Sequence, residues 1–528
     1  MTILDDLVAG FRLLRGLPSF VRQPIRLEEA RQLVRRRLET REIDFLAFVR
    51  RAIYERADSP YQALLRGAGC EYGDLERLVT GEGVEAALET LLRNGVYLTV
   101  DEFKGRRPVV RGATTFHVEP TRLWNRPLGG HVESQTGGSR GSHTPVAIEL
   151  PSIRDWAVNT RFEFAARGDG PWAPARWTVP GGEAVAGILR FYIGSGVPLA
   201  RWFSPIDPSS PQLHPRYRWS ARILRWGSQV GGVPVPWPEH VPLEDPHPIV
   251  RWLAEALRAG STPFLVAYVS SAVRLARTAL AAGIDLSGTH VLGTGEPLTA
   301  SRRDTVRRAG IKIAASYASM EVGPIGSGCL APMAPDDVHV FHDLQALVQP
   351  PGPADADAGP GRPLFVSTLR PSAPLGLLNV SLGDQAVLTR RRCGCLLGEV
   401  GWRTHLHGIR SFEKLTAGGM SFLDADIIRV LEDVLPSRFG GTPTDYQLVE
   451  DEEEDGGARL RLLVHPAIEP VDPDAVAGVF LEAIGSGSGA ERVMGLAWRS
   501  AGLLRVERQP PLTTGSGKIL HLHVNRRP

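Results

Sequence analysis

The sequence predicts an α/β protein: a large N-terminal domain, residues 1–407, followed by a smaller C-terminal β/α domain, residues 408–528. Three observations predict it. The chain has 528 residues, too many for one compact domain, and 43% of them are hydrophobic, enough to fill a large core. Through its middle, strand-like apolar runs alternate with helical patterns. Near Gly408 the character changes to glycine-broken segments carrying short strands and helices.

Residues 1–125 read as mostly helical. Leu27–Arg50 is rich in Arg and Glu with apolar residues at helical spacing, and Val84–Asn94 reads the same way. A polar, glycine-rich segment, SQTGGSRGSHT, follows from Ser134. The α/β core is read in Ala184–Ile193, Ile249–Ala259, Pro263–Val269 and Val273–Ala282. Trp156, Trp172, Trp177, Trp202 and Trp219 crowd this region, and core packing with turn anchoring is the expected use. Pro350–Pro363 is too proline-rich for regular structure. In the small domain a helix is expected near Leu423–Leu435 and strands at Asp445–Val449, Arg459–Val464 and Leu503–Glu507. A further helix is expected around Ala475–Ile484. The acidic run EDEEED from Glu450 reads as a solvated hairpin tip.

Several function classes are disfavoured. The net charge is +2, from 60 basic and 58 acidic residues, so no dominant basic face for nucleic acid is expected. No run approaches the roughly 20 apolar residues of a membrane span. The N-terminus, broken by Asp5 and Asp6, lacks the form of a secretory signal. Four cysteines do not make a disulfide scaffold, and a reducing cytoplasm is the expected compartment.

The chemistry lies in short polar groups. Thr136–Ser142 (TGGSRGS) interleaves glycines, hydroxyls and a cation, the means by which a backbone approaches an anion. The tail carries Thr514-Gly515-Ser516-Gly517-Lys518, a lysine on a mobile turn suited to meeting phosphate or carboxylate as a point charge. Between them Gly295-Glu296-Pro297-Leu298, Tyr317-Ala318-Ser319-Met320-Glu321 and Gly383-Asp384 each close an apolar run, where α/β proteins place ligand contacts.

In that order and spacing these motifs resemble the adenylate-forming superfamily of acyl-CoA ligases, adenylation domains and luciferases. The nearer resemblance is to the phenylacetate–CoA ligase branch, through Val322-Gly323-Pro324, Cys329 and the Cys393-Gly394-Cys395 pair. The resemblance implies a large adenylate-binding domain and a small mobile domain carrying a catalytic lysine, Lys518. It implies that Thr136, Ser139 and Ser142 bind ATP phosphates and that Gly295 and Glu296 contribute to the nucleotide site. Tyr317 would stack near adenine, Asp384 would hold the ribose and Glu321 would bind Mg²⁺. The hinge departs from the family pattern, reading Gly408-Ile409-Arg410-Ser411-Phe412, so the ribose contact falls to Arg410 or Arg403. Cys329, Cys393, Cys395 and His339, with His342 as the rival imidazole, would form a closed structural Zn²⁺ site.

The implied activity is conversion of a carboxylic acid to its acyl-adenylate, then to a thioester. Coenzyme A is the default acceptor, and an amine or a separate carrier protein is the alternative. Phe191 and Tyr192, in the segment resembling the acyl-pocket lining, suit an apolar or aromatic acid. The rival of a different class is a protein of this fold that binds nucleotide or acyl ligand without turnover.

Overall fold

The computed structural model describes residues 3–125, 131–135, 145–209, 215–350, 361–411, 424–452, 458–485, 504–514 and 517–525. At its centre lies one twelve-stranded sheet. Half of it is parallel. Outward from Lys312–Ser319 come His290–Thr294, Thr262–Tyr268, Trp172–Trp177, Arg201–Ser204 and Glu239–His240. Strands covered on both faces must be apolar on both, and Thr262–Tyr268 is buried at every central position. Its alternate residues divide between two cores. Leu265 and Ala267 join Trp177 and Val291 beneath the helices His247–Arg258 and Val269–Ala281. Phe264 and Val266 join Phe164, Phe191 and Leu292 on the opposite face, beneath Leu150–Ala165 and Gly182–Ser195.

The other half is antiparallel, running Gly323–Ser327, Val338–Val340, Thr404–Ser411, Val380–Arg390, Arg362–Thr368 and Gln345–Val348. Helices from Leu27–Glu39 to Val84–Arg93 share its core, with Phe45, Phe48 and Leu88 in one cluster with Val340, Leu347 and Val366. The small domain has a four-stranded sheet in the order Leu504–Arg508, Ala458–Val464, Tyr446–Glu452, Leu522–Asn525. Its own core holds Ile427, Leu431, Leu448, Leu462 and Phe480. Among the described residues no helix is long and apolar enough to cross a membrane.

Where the structure departs from the sequence reading, side-chain pairing is the cause. The strand expected to stop at Val449 continues to Glu452, because Arg461 on the facing strand ion-pairs with Asp451 and Glu507. Pro363 lies inside a strand, at a register break where no ladder hydrogen bond is required of it. Thr404–Ser411 runs as one strand across the division expected at 407/408, since Arg410 and Ser411 pair with Gln385 and Asp384. Trp156, Trp177 and Trp202 are core residues, whereas Trp219 is 52% exposed.

Candidate functional site

Tyr268, Thr294 and Ser316 are register partners on three adjacent parallel strands, so the residues that follow, including Gly295 and Tyr317, emerge side by side at their C-terminal ends. Adjacent strands lie about 5 Å apart, which brings two of the expected motifs to one edge. The tail joins them there. Gly295 has φ +74°, and a Cβ on it would lie 2.9 Å from Cε and Nζ of Lys518. The Lys518 ammonium sits 4.9 Å from the centroid of the Tyr268 ring. Burial pushes its pKa down, opposed by the charges of Glu296 and Glu183.

Glu296 does something other than expected. Its carboxylate accepts from the Ser270 amide (2.6 Å), the Ser270 hydroxyl (2.8 Å) and the amide of Ile519 (2.9 Å), and pairs with Arg302 at 3.3 Å. Its side chain is 1% exposed. A carboxylate so occupied has no capacity left for nucleotide, and it fixes the residue directly after Lys518 instead.

Tyr317 and Asp384 stand apart in the sheet order, with three strands between theirs. The antiparallel half curls back so that the Tyr317 hydroxyl donates to Asp384 at 2.7 Å. Burial, then the charges of Asp384 and Glu321, push the phenol well above its usual range, so it remains a protonated donor. Glu321 is buried, and among the described residues no donor reaches its carboxylate. The turn that carries it is fixed by Gly323, φ +80°, where a Cβ would lie 2.3 Å from the Trp156 ring.

The two candidate arginines separate. Arg410 lies next to the Asp384 end of its strand, with its guanidinium 3.0 Å from Asp336, a carboxylate that also accepts from the Gly408 and Ile409 amides. Arg403 is exposed just before the opposite end of that strand, about 20 Å away by strand rise. Thr136, Ser139, Ser142 and Phe412 lie outside the described residues. Ser411 closes the last strand of the large sheet, paired with Asp384, and Ile409 lies within that strand. Phe191 is core: its ring packs 5.8 Å from both Phe164 and Phe264, which removes it from the acyl pocket expected there.

A second cluster forms at the other end of the Thr404–Ser411 strand. The sulfurs of Cys329, Cys393 and Cys395 and a nitrogen of His339 lie within 4.8 Å of one another. Cys393 and Cys395 Sγ are 3.3 and 3.2 Å from His339 Nε2. His339 Nδ1 is 2.6 Å from the Trp402 carbonyl, so it is Nδ1 that carries the hydrogen and Nε2 that offers a lone pair to the sulfurs. Hydrogen bonding from Cys395 outweighs burial and lowers the pKa of the Cys329 thiol. His342 is not in the cluster, and its Nδ1 is buried without a hydrogen-bond partner. Three soft donors and one imidazole are the ligand set of structural zinc.

Among solved structures the chain is similar to 2-hydroxyisobutyryl-CoA ligase in its postadenylation state with R3-HIB-AMP. The TM-score is 0.51 at 15% identity, over 93% of this chain and 89% of that one. It is also similar to O-succinylbenzoate coenzyme A synthetase from Bacillus subtilis in complex with AMP (TM-score 0.42, 12% identity, 74% and 67% of the chains). A third is the amide bond synthetase McbA from Marinactinospora thermotolerans (TM-score 0.39, 14% identity, 91% and 92%). No family model matches the chain and no curated protein matches it. The first likeness shows the fold, an α/β architecture with a large N-terminal domain and a smaller C-terminal one.

Proposed function

We propose that this protein is an ATP-dependent carboxylate-activating ligase, nearest in its motifs to the phenylacetate–CoA ligase branch. In the first half-reaction the substrate carboxylate attacks the α-phosphorus of ATP, giving acyl-AMP and releasing pyrophosphate. In the second, a nucleophile attacks the acyl carbon and AMP leaves. The observation that carries the reading is the arrival of Lys518, from the small domain's tail, against Gly295, one strand from the Tyr317–Asp384 pair.

The carboxylate is already a nucleophile, so this chain need supply no general base. Its task is positioning and neutralisation of charge. Lys518 would meet the substrate carboxylate and the α-phosphate as pyrophosphate departs. Asp384, oriented by Tyr317, would accept from the ribose hydroxyls, and the Tyr317 ring would lie against adenine. Thr136, Ser139 and Ser142 would donate to the phosphates, with Arg410 near the ribose. Glu321, a buried carboxylate without a described donor, fits the Mg²⁺ that accompanies ATP. Cys329, His339, Cys393 and Cys395 would hold a structural Zn²⁺, tying the segment after Glu321 to the end of the strand that carries Asp384. Coenzyme A is the proposed acceptor, ahead of an amine or the thiol of a separate carrier protein.

The test is a panel of apolar, aromatic and polar acids scored by pyrophosphate release, with and without coenzyme A and with an amine. Acid-dependent ATP–pyrophosphate exchange supports the reading. ATP binding without exchange on any acid would establish the rival, a nucleotide-binding protein without turnover.

A further inference from the structure

Lys518 reaches the site only because the tail that carries it is held, and the holding groups are buried between the domains. Arg302, on the large-domain helix Ala300–Arg308, has its Nε 2.6 Å from Glu432 and its Nη2 2.8 Å from His521 Nε2. Glu432 belongs to the small domain and also meets His521 and the Thr299 hydroxyl. Arg302 further contacts Glu296, whose carboxylate accepts from the amide of Ile519. The Arg302, Glu296 and Glu432 side chains are each 1% exposed, and that of His521 is 5% exposed. Around this network the domains touch through more exposed pairs, Arg277 with Asp445 at 2.8 Å and Ser301 with Asp433.

The network makes its members interdependent. Glu432 and His521 come from the small domain, Arg302 and Glu296 from the large one, so the buried contacts of Arg302 with Glu432 and His521 form only when the two domains meet. Such buried ionic groups can fix one arrangement against its alternatives. Here the arrangement fixed is the one that puts the residue before Ile519 against Gly295.

We infer that Glu432, His521 and Arg302 form a latch that sets Lys518 in the site, making them positioning residues for acid activation although none touches the reacting groups. The functional part rests on the ligase reading above. The latch itself does not, and the two are tested separately.

The chain offers an unusual probe, because it contains four lysines: Lys104, Lys312, Lys414 and Lys518. Amine acetylation resolved by mass spectrometry therefore reports Lys518 directly, with exposed Lys312 as internal reference. In the wild type, half-buried Lys518 should label slowly. Glu432→Gln and His521→Ala should each raise its labelling rate about tenfold while Lys312 is unchanged. The same variants should lower the rate of acid activation about tenfold and leave transfer from a preformed acyl-adenylate at the wild-type rate. His521→Gln, which keeps a polar group at the same place, should restore much of both. Wild-type labelling of Lys518 in a folded variant overturns the latch. So does a parallel fall of both half-reactions with thermal stability, which would make these residues merely structural. If the wild type activates no acid at all, the ligase reading falls and the labelling result alone decides the latch.

Discussion

Gly295→Ala isolates the contact on which the site depends. Two costs can be worked out from the structure. The residue has φ +74°, a left-handed conformation that costs an L side chain about 1–2 kcal/mol. The new methyl would also lie 2.9 Å from Cε and Nζ of Lys518 and from Cδ1 of Tyr268. Ordinary carbon contacts begin near 3.5 Å, so the lysine must retreat by about 0.5–1 Å. The first cost should lower Tm by only a few degrees. The second should lower acid activation about 10²-fold, since a misplacement of that size at a reacting centre has that effect. Gly69→Ala is the control: Gly69 has φ +63° with nothing within 4 Å, so it carries the conformational cost and no contact with the lysine. The assay is acid-dependent ATP–pyrophosphate exchange alongside thermal unfolding. Wild-type exchange in Gly295→Ala, or equal losses in both variants, would refute the assignment.

Other outcomes follow from the same geometry. Glu321→Gln should shift the Mg²⁺ dependence of activity at fixed ATP to higher concentration, and an unchanged titration would remove Glu321 from the metal's surroundings. Cys395→Ser should lose zinc by elemental analysis and lower thermal stability and ATP affinity together, whereas Cys70→Ser, outside the cluster, should keep the metal. Protein purified without chelator and free of zinc would end that proposal. Burial pushes Glu432 up, but Arg302, His521 and Thr299 outweigh it and hold the carboxyl down to about 2. Its contribution is therefore complete above the usual carboxylate range and lost as pH falls from about 4.5 towards 2, on the order of 3 kcal/mol. Glu432→Gln should lack this part of the acid dependence in chemical denaturation, and an identical profile would contradict it.

The fold could be read from the sequence, and the motifs of the candidate site could be picked out there, because the readable features are local. A glycine before an acid, two cysteines around a glycine and a lysine on a Gly-Ser-Gly turn announce themselves without a fold. What escaped depends on partners distant in the chain. Glu296 looked like a nucleotide contact because its motif is local, yet its role is fixed by Ser270, Arg302 and Ile519. The Arg302–Glu432–His521 network left no signal at all, since its three residues meet only after both domains fold. Strand geometry decided the choices left open. His339 lies inside Val338–Val340, within reach of the cysteines, and His342 falls beyond it, with its carbonyl taken by Arg41. Arg403 and Arg410 fall at opposite ends of one strand. An aromatic residue in an expected pocket carries no sign of which face it occupies, and Phe191 turned inward.

Lys518→Ala tests the central claim most directly, measured as acid-dependent ATP–pyrophosphate exchange beside transfer from a preformed acyl-adenylate. The lysine supplies positive charge where negative charge develops, so its loss should slow exchange about 10²–10³-fold. Transfer and thermal unfolding should remain close to wild type, because the Ile519 amide, not the lysine side chain, holds the tail to Glu296. Exchange at the wild-type rate in this variant would contradict the account.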